Sequence, residues 1–417
     1  MRPAGGEWYL GIDLGIRWTQ VSCYHAGLPE PETKGTAAGG DSCRIPTAVC
    51  KRKRTGQWCI GESASMLAEA GEGMYADYLL PRAWKQEAIL LDQEYQARDL
   101  LQIFLWKVIQ MALPEKGVKA VTKCVFTVEN ITEGLVGMLL EVAGKLGFMD
   151  CQVVIQDRRE SFYAYAVCQD PALWSYDVVL YSCEGDEIWQ KRLACDRKTR
   201  PKVASVEEKY LGKLPEEVKE WDRAFAQILR ESMAKKIVSS VYLIGSGFEG
   251  NWMEESLKVV CQGKRAFQGK NLYTKGACYA GMLMEHREEA ETVYFCEYKM
   301  IEHIFLKVTC RDEEKAFFLV EAGDNRHQVG KQFRILTEQD DFLDVWVQGL
   351  DGKGARIERL KLPGLQASKY RQNRLAVACW MEGEAVRLRI EDIGWGELQK
   401  GTGMEWEFEI RGEPSAG

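Results

Sequence analysis

The run Tyr9-Leu10-Gly11-Ile12-Asp13-Leu14-Gly15, followed at once by Ile16-Arg17-Trp18-Thr19-Gln20-Val21, decides how the rest of the chain is read. Apolar residues lead into Gly-x-Asp-x-Gly, and a second β-prone segment returns. The pattern predicts a β-hairpin whose turn suits a phosphate. Gly11 and Gly15 let backbone N–H groups approach an anion, and Asp13 can hold a water on a bound Mg²⁺. An ordinary tight turn is written the same way, so later segments have to decide between the two.

Outward from this hairpin, residues 28–42 form a loop rich in Gly, Pro, Thr and Ala. Ile45–Cys50 and Trp58–Gly61 suggest a second hairpin, with Lys51-Arg52-Lys53-Arg54 at a solvated tip. Leu100, Ile103, Phe104, Val108 and Met111 recur at helical spacing and predict a helix over 95–113. Cys124–Val128 is a short buried strand, and Thr132 suits the N-cap of a helix that Gly147 closes. A strand at 152–156 and a helix at 160–168 follow, and such alternation argues for α/β layers.

Asp177–Tyr181 opens a second series. Residues 190–215 are polar and charged, which predicts a long loop or reduced subdomain. Residues 216–237 are expected to be helical, Val241–Ile244 is a buried strand ending at Gly245-Ser246-Gly247, and helices are expected near 252–262 and 274–286. The charged stretch 287–291 reads as a linker. From Thr292 onward, short alternating segments separated by turn residues suggest an antiparallel β-sandwich or barrel.

Bulk properties narrow the function classes. With 417 residues the chain fits two or three domains. A net charge of −7 argues against nucleic acid as partner, since that footprint is usually basic. No segment approaches the roughly 20 apolar residues of a membrane span, and Met1–Gly6 is no secretory signal. The 14 cysteines show no C-x-x-C pair, so they read as reduced thiols of a cytoplasmic protein. His25, His286, His303 and His327 have no metal-ligand spacing and read as structural or exposed.

These pieces, in this order, resemble the seventy-kilodalton heat-shock chaperones, within the wider actin and sugar-kinase ATPase fold. Gly11–Gly15 resembles their first phosphate hairpin. Ile45–Val49 and Ile60–Ala64 resemble the next hairpin and the start of its helix. Val125–Val128, Ala143-Gly144, Leu146-Gly147 and Glu160–Ala166 resemble the segments that close the first lobe. Leu243–Gly247 resembles the adenosine-binding turn, and Gly276–Gly281 the closing interlobe helix. Leu360–Leu365 and the stretch 374–395 resemble the peptide-binding sandwich.

The resemblance implies a two-lobed α/β actin-like ATPase fold with a reduced second lobe, followed by an all-β sandwich. Lobe I would span 7–175, lobe II 176–286, the linker 287–291 and the sandwich 292–412. It implies nucleotide contacts at Gly11, Asp13, Gly15, Arg17, Gly185, Gly245 and Gly247, a Mg²⁺ held through water by Asp13, and an attacking water placed by Asp13 and Glu160.

Several family features are altered. Ser182 stands where the second phosphate loop has its Asp, one glycine survives at Gly185, and Glu184, Asp186 and Glu187 add charge that repels a triphosphate. Arg17 stands where the family has a small hydroxyl residue. The catalytic Lys has no aligned equivalent, Arg82 and Lys85 being nearest. The interval filled by the adenosine-clamping subdomain is trimmed to 188–237. Arg311–Lys315 is charged where the substrate groove should be apolar, with Leu336, Phe342 and Leu343 as the remaining apolar side chains there.

The leading expectation is a non-catalytic, chaperone-like module that binds a protein or peptide, with no nucleic-acid or membrane partner. The alternative is a divergent ATPase that uses Asp13 and Glu160 with ATP or ADP and Mg²⁺. A sugar kinase is a third reading, but no segment presents its catalytic Asp.

Overall fold

The computed structural model describes residues 2–35, 43–113, 117–338, 341–350, 352, 354–365 and 372–412. The chain divides into two compact units: Met1–Asp196 with Ala204–Ala290, and Arg197–Val203 with Glu291–Gly417. Among the described residues, no helix is long and apolar enough to cross a membrane.

The first unit opens on β1 (Trp8–Leu14) and β2 (Trp18–His25), an antiparallel pair in which Asp13 faces Gln20. β3 (Glu32–Lys34) adds to β2, as does the two-residue strand Ile45–Pro46. A small sheet follows, with β4 (Val49–Arg52) between β5 (Trp58–Cys59) and β6 (Gly73–Ala76). Helix α1 (Ala97–Ala112) places Leu100, Leu101, Phe104, Leu105 and Val108 on its buried face, the helical period the sequence shows.

β7 (Lys123–Val128), α2 (Glu133–Lys145), β8 (Val153–Asp157) and α3 (Arg158–Val167) complete the half. Thr132 Oγ1 accepts from Leu135 N at 3.3 Å, and Asp157 Oδ1 from Glu160 N at 2.9 Å, so each helix starts on a side-chain cap. The sheet order is β8-β7-β1-β2-β3, with β7 parallel to β1 and β8 parallel to β7. Leu10, Ile12 and Leu14 share a core with α1 and α2, and alternate residues of β1 face the other way.

The second half repeats this plan. β9 (Asp177–Glu184) and β10 (Glu187–Asp196) form an antiparallel hairpin, and β11 (Lys202–Lys213) lies beside β10. After α4 (Val218–Ser232), β12 (Val238–Ile244) pairs parallel to β9. After α5 (Glu255–Val260), β13 (Arg265–Gly269) pairs parallel to β12. The order β13-β12-β9-β10-β11 matches β8-β7-β1-β2-β3 position for position.

The loop expected over 190–215 is therefore corrected to two strands. Their pairing hides from apolar periodicity because cross-strand contacts here are charged and aromatic: Lys191 with Glu208, Arg192 with Glu207 at 2.6 Å, and Trp189 with Tyr210 at 4.9 Å between ring centroids.

Asp222 on α4 shows how a short helix is anchored. Its carboxylate accepts from the backbone N–H of Glu254, Glu255 and Ser256 and from Ser256 Oγ, at 2.7–2.9 Å. Burial alone would raise its pKa, but these donors outweigh burial and lower it to about 2. A depressed carboxylate stabilises the fold fully above the ordinary Asp range near 3.9, and that contribution is lost as pH falls through about 2. Asp222→Ala is expected to cost about 2 kcal/mol at pH 7. Urea unfolding at pH 7 and at acid pH checks this, since the difference from wild type should shrink towards pH 2.

The last helix of the unit, α6 (Leu272–Glu285), packs on the face of β1 opposite α1. Its approach is close enough to need glycine on the strand. A Cβ on Gly11 would lie 2.3 Å from Thr274 O and 2.8 Å from Ala277 Cβ. Thr274 Oγ1 donates to Gly11 O at 2.8 Å, and the Cys278 thiol reaches Ser22 O at 3.3 Å. His286 then meets Glu7 at 3.1 Å, and Arg287–Glu289, within the stretch read as a linker, is a 3-10 turn.

The second unit holds two antiparallel sheets on one core. One contains β14 (Glu302–Cys310) and β15 (Glu313–Val320), the other starts at β16 (Gly330–Glu338). β17 (Phe342–Gly349) and β18 (Arg356–Lys361) extend the first, giving the order β15-β14-β17-β18. β19 (Gln372–Glu382), β20 (Ala385–Asp392) and β21 (Glu405–Arg411) extend the second, giving β16-β19-β20-β21. Ile304, Leu306, Val345 and Val347 meet Leu375, Val377, Leu388 and Ile390 in the shared core.

Arg311 and Asp312, at positive φ of 54° and 64°, make the tight turn between β14 and β15, and the rest of the charged segment, Glu313–Lys315, begins β15. Of the three apolar residues named for a groove, Leu336 is 54% exposed, while Phe342 and Leu343 are half-buried.

Candidate functional site

The turn between β1 and β2 is closed by its own chain. Gly15 N–H donates to Trp18 O at 3.0 Å, Thr47 N–H to Arg17 O at 2.9 Å, and Thr47 Oγ1 to Gly15 O at 2.9 Å. The Gly15 amide that would face an anion is thus already bonded. Gly11 is a packing glycine under α6, as described above. Arg17 is exposed and has no side-chain partner among the described residues.

Asp13 is 6% exposed, and both its oxygens face a guanidinium. Arg158 Nε donates to Oδ1 at 3.1 Å and Nη2 approaches Oδ2 at 3.4 Å. Burial opposes charge on Arg158, but Asp13 and Tyr273 outweigh it and raise its pKa. Arg158 is the first residue of α3 and Arg159 the second. Cations are disfavoured at a helix N-terminus, so each needs a carboxylate, and they take Asp13 and Asp157.

A row of groups continues from this pair. Arg158 Cζ lies 5.2 Å from the Tyr273 ring centroid, and Lys191 Nζ lies 5.9 Å from the same ring. Lys191, 6% exposed, bonds Glu208. Burial holds the Tyr273 phenol above its ordinary pKa, so it stays neutral. Asp13, Arg158, Tyr273, Lys191 and Glu208 thus link β1, α3, α6, β10 and β11, with two cations beside one neutral aromatic ring and a carboxylate on the far side of each cation. Opposite Asp13 on β2, Gln20 Nε2 is buried and makes no hydrogen bond.

The sequence pointed to Asp13 and missed its four companions. Only the unfavourable Arg158-Arg159 pair after a capping Asp could have signalled a buried carboxylate partner. Glu160 is 4% exposed, and its N–H is held by Asp157. It lies two residues after Arg158, so helical geometry turns it by ~200° from the Asp13 contact.

The glycines of the second half serve one contact. Gly185, with φ of 68°, turns the chain between β9 and β10. Gly245 has φ of 105°, and a Cβ there would lie 2.2 Å from Cys183 O. A Cβ on Gly247 would lie 2.2 Å from Cys183 Sγ and 2.7 Å from Gly185 O. The Gly245–Gly247 turn is therefore seated on the β9–β10 hairpin.

The acidic residues of that hairpin have partners of their own. Glu184 takes Arg44 at 3.2 Å and Ser246 Oγ at 2.9 Å, and Lys213 reaches Glu187 at 3.1 Å. Arg82 is paired with Glu87 at 3.1 Å, and Lys85 is exposed. Among the described residues, no group of three or more His, Cys, Asp or Glu side chains is arranged to hold a metal. His25 stacks on Trp8 at 4.1 Å, and His303 accepts from Ala322 N–H.

Two family matches cover nearly all of this chain. The C-terminal part of a family of unknown function, DUF5716, matches residues 30–297. A domain of unknown function, DUF8552, matches residues 299–411. The first match spans more than half of the chain, and the chain belongs to that family. None of the curated proteins matches it.

Proposed function

We propose that this chain is a non-catalytic protein-interaction module built on an actin-like, heat-shock-chaperone-like plan, working in the cytoplasm. The observation that carries the reading is the Asp13–Arg158 pair. A guanidinium lies against both oxygens of the carboxylate to which the resemblance assigns a water-bound Mg²⁺, and a divalent cation beside that guanidinium would be repelled. The repeated strand order of the two halves supports the actin-like plan. The Gly15 amide in the β1–β2 turn is bonded to Trp18 O and so is not offered to a phosphate. The reducing cytoplasm suits 14 cysteines that, among the described residues, form no disulfide.

Calorimetry with ATP and ADP, with and without Mg²⁺, is expected to give no binding heat, and thermal unfolding is expected to give no shift. A nucleotide at one hundred times its Kd would raise stability by about 2.7 kcal/mol. A shift of that size overturns the reading. Mg²⁺-dependent ATP turnover that Asp13→Asn or Glu160→Gln abolishes would establish the divergent ATPase instead.

A further inference from the structure

Cys50 on β4 and Cys59 on β5 stand directly opposite each other in an antiparallel pair. Cys183 faces Ile188 and Cys310 faces Glu313, but here a thiol faces a thiol. Opposed residues share one face of a sheet, and the next pair, Lys51 with Trp58, takes the other face. In an antiparallel pair the opposed Cα atoms stand about 4.5 or 5.5 Å apart, inside the range of about 4.4–6.8 Å that a disulfide spans. The Cβ atoms approach to about 4.5 Å, the upper end of the disulfide range. Both cysteines are free thiols in this structure.

The two thiols differ in access. Cys50 is fully buried and Cys59 is partly exposed, so an oxidant arriving from solvent meets Cys59 first. Burial, and then the neighbouring Cys59 thiol, hold Cys50 above the ordinary thiol pKa. Cys50 Sγ rests over Gly73 of β6, where a Cβ would lie 2.1 Å from it. Rotation about the Cys50 Cα–Cβ bond turns the sulfur from Gly73 to Cys59. β5 is a two-residue strand at the edge of the sheet β5-β4-β6, held to β4 by the Cys50–Cys59 and Lys51–Trp58 pairs.

We propose that Cys50 and Cys59 form a reversible dithiol–disulfide pair, a redox modification site that fastens the edge strand β5 when oxidised. The oxidant is hydrogen peroxide. Its O–O bond breaks as one oxygen joins Cys59 Sγ, giving a sulfenic acid and one water. Cys50 Sγ then attacks Cys59 Sγ. The S–S bond forms, the S–O bond breaks, and the oxygen leaves as a second water with the Cys50 proton. The two thiols lose two electrons and the peroxide gains them. Reduced glutathione reverses the change by thiol–disulfide exchange and is itself oxidised to its disulfide. A reducing compartment leaves paired thiols this transient use. The pair stands whether or not the chain binds nucleotide.

The full chain is treated with graded hydrogen peroxide, unfolded in urea with iodoacetamide, and digested with trypsin, which cuts between the two cysteines at Lys51–Arg54. Mass spectrometry is expected to show the Cys50 and Cys59 peptides joined, lighter by two hydrogens, and parted again when the oxidised protein is first treated with reduced glutathione. In Cys50→Ala, dimedone is expected to trap the Cys59 sulfenic acid, and sulfinic acid at Cys59 is expected to rise at least about tenfold. Amide hydrogen exchange over residues 52–58 is expected to slow at least about tenfold in the oxidised chain. Sulfinic acid at Cys59 with Cys50 still alkylated in the unsubstituted chain overturns the proposal. So does a bond from either residue to another cysteine, or alkylation of both at a peroxide concentration that oxidises the exposed Cys151. The unsubstituted chain alone decides these outcomes, so they hold even if Cys50→Ala fails to fold. A joined pair whose exchange matches that of the reduced chain overturns the fastening of β5.

Discussion

Gly276→Val is expected to destabilise the first unit by about 3 kcal/mol or more, measured by urea unfolding. A Cβ on Gly276 would lie 2.0 Å from Ser161 O, 2.8 Å from Ser161 C and 3.3 Å from Ser161 Cα. All three are backbone atoms inside α3, so no rotamer change relieves the clash. The helix cannot retreat, because its other side is held against β1 at Gly11. Either α6 leaves β1 or α3 shifts, and both expose core. A control separates this from a general intolerance of helical substitutions. Gly137, mid-way along α2, has open space around its missing Cβ. Gly137→Ala is expected to stabilise by about 0.5–1 kcal/mol through helix propensity.

Arg158→Met is expected to cost about 3 kcal/mol, because it strands Asp13 with its side chain 8% exposed and no cation beside it. The double variant Asp13→Asn/Arg158→Met removes both charges and is expected to recover much of that loss. Urea unfolding of the four proteins gives the coupling energy directly. If the single and double variants are equally unstable, Arg158 acts by packing on Tyr273 and the pair is not the stabilising element. The cycle is informative because Asp13 and Arg158 lie 145 positions apart in sequence and meet only through the fold.

What the sequence made legible was local. The helix at 95–113 emerges as Ala97–Ala112 because its apolar residues recur on one face. Thr132 caps α2 because a hydroxyl before a helical run has one favoured use. Glycines were visible as residues, but their use was not. Gly11, Gly245 and Gly247 make room for neighbouring segments, and only the partner at the far side of each contact distinguishes that from room for a phosphate. Strands β10 and β11 were hidden because charged pairs do the work that alternating apolar residues do elsewhere. The row from Asp13 to Glu208 was hidden for the same kind of reason. Its five members come from five elements, and no spacing rule joins them.

The thiol of Cys278 gives the packing of α6 a kinetic meaning. It lies between α6 and the sheet, and burial, with Cys23 and Cys124 nearby, holds it well above its ordinary pKa. A thiol reagent attacks the thiolate and needs access, so the closed protein offers it neither. Modification at Cys278 can occur only when α6 lifts from β1 and β2. Its rate relative to that of an exposed cysteine such as Cys151 therefore measures how often the contact between that helix and the sheet opens.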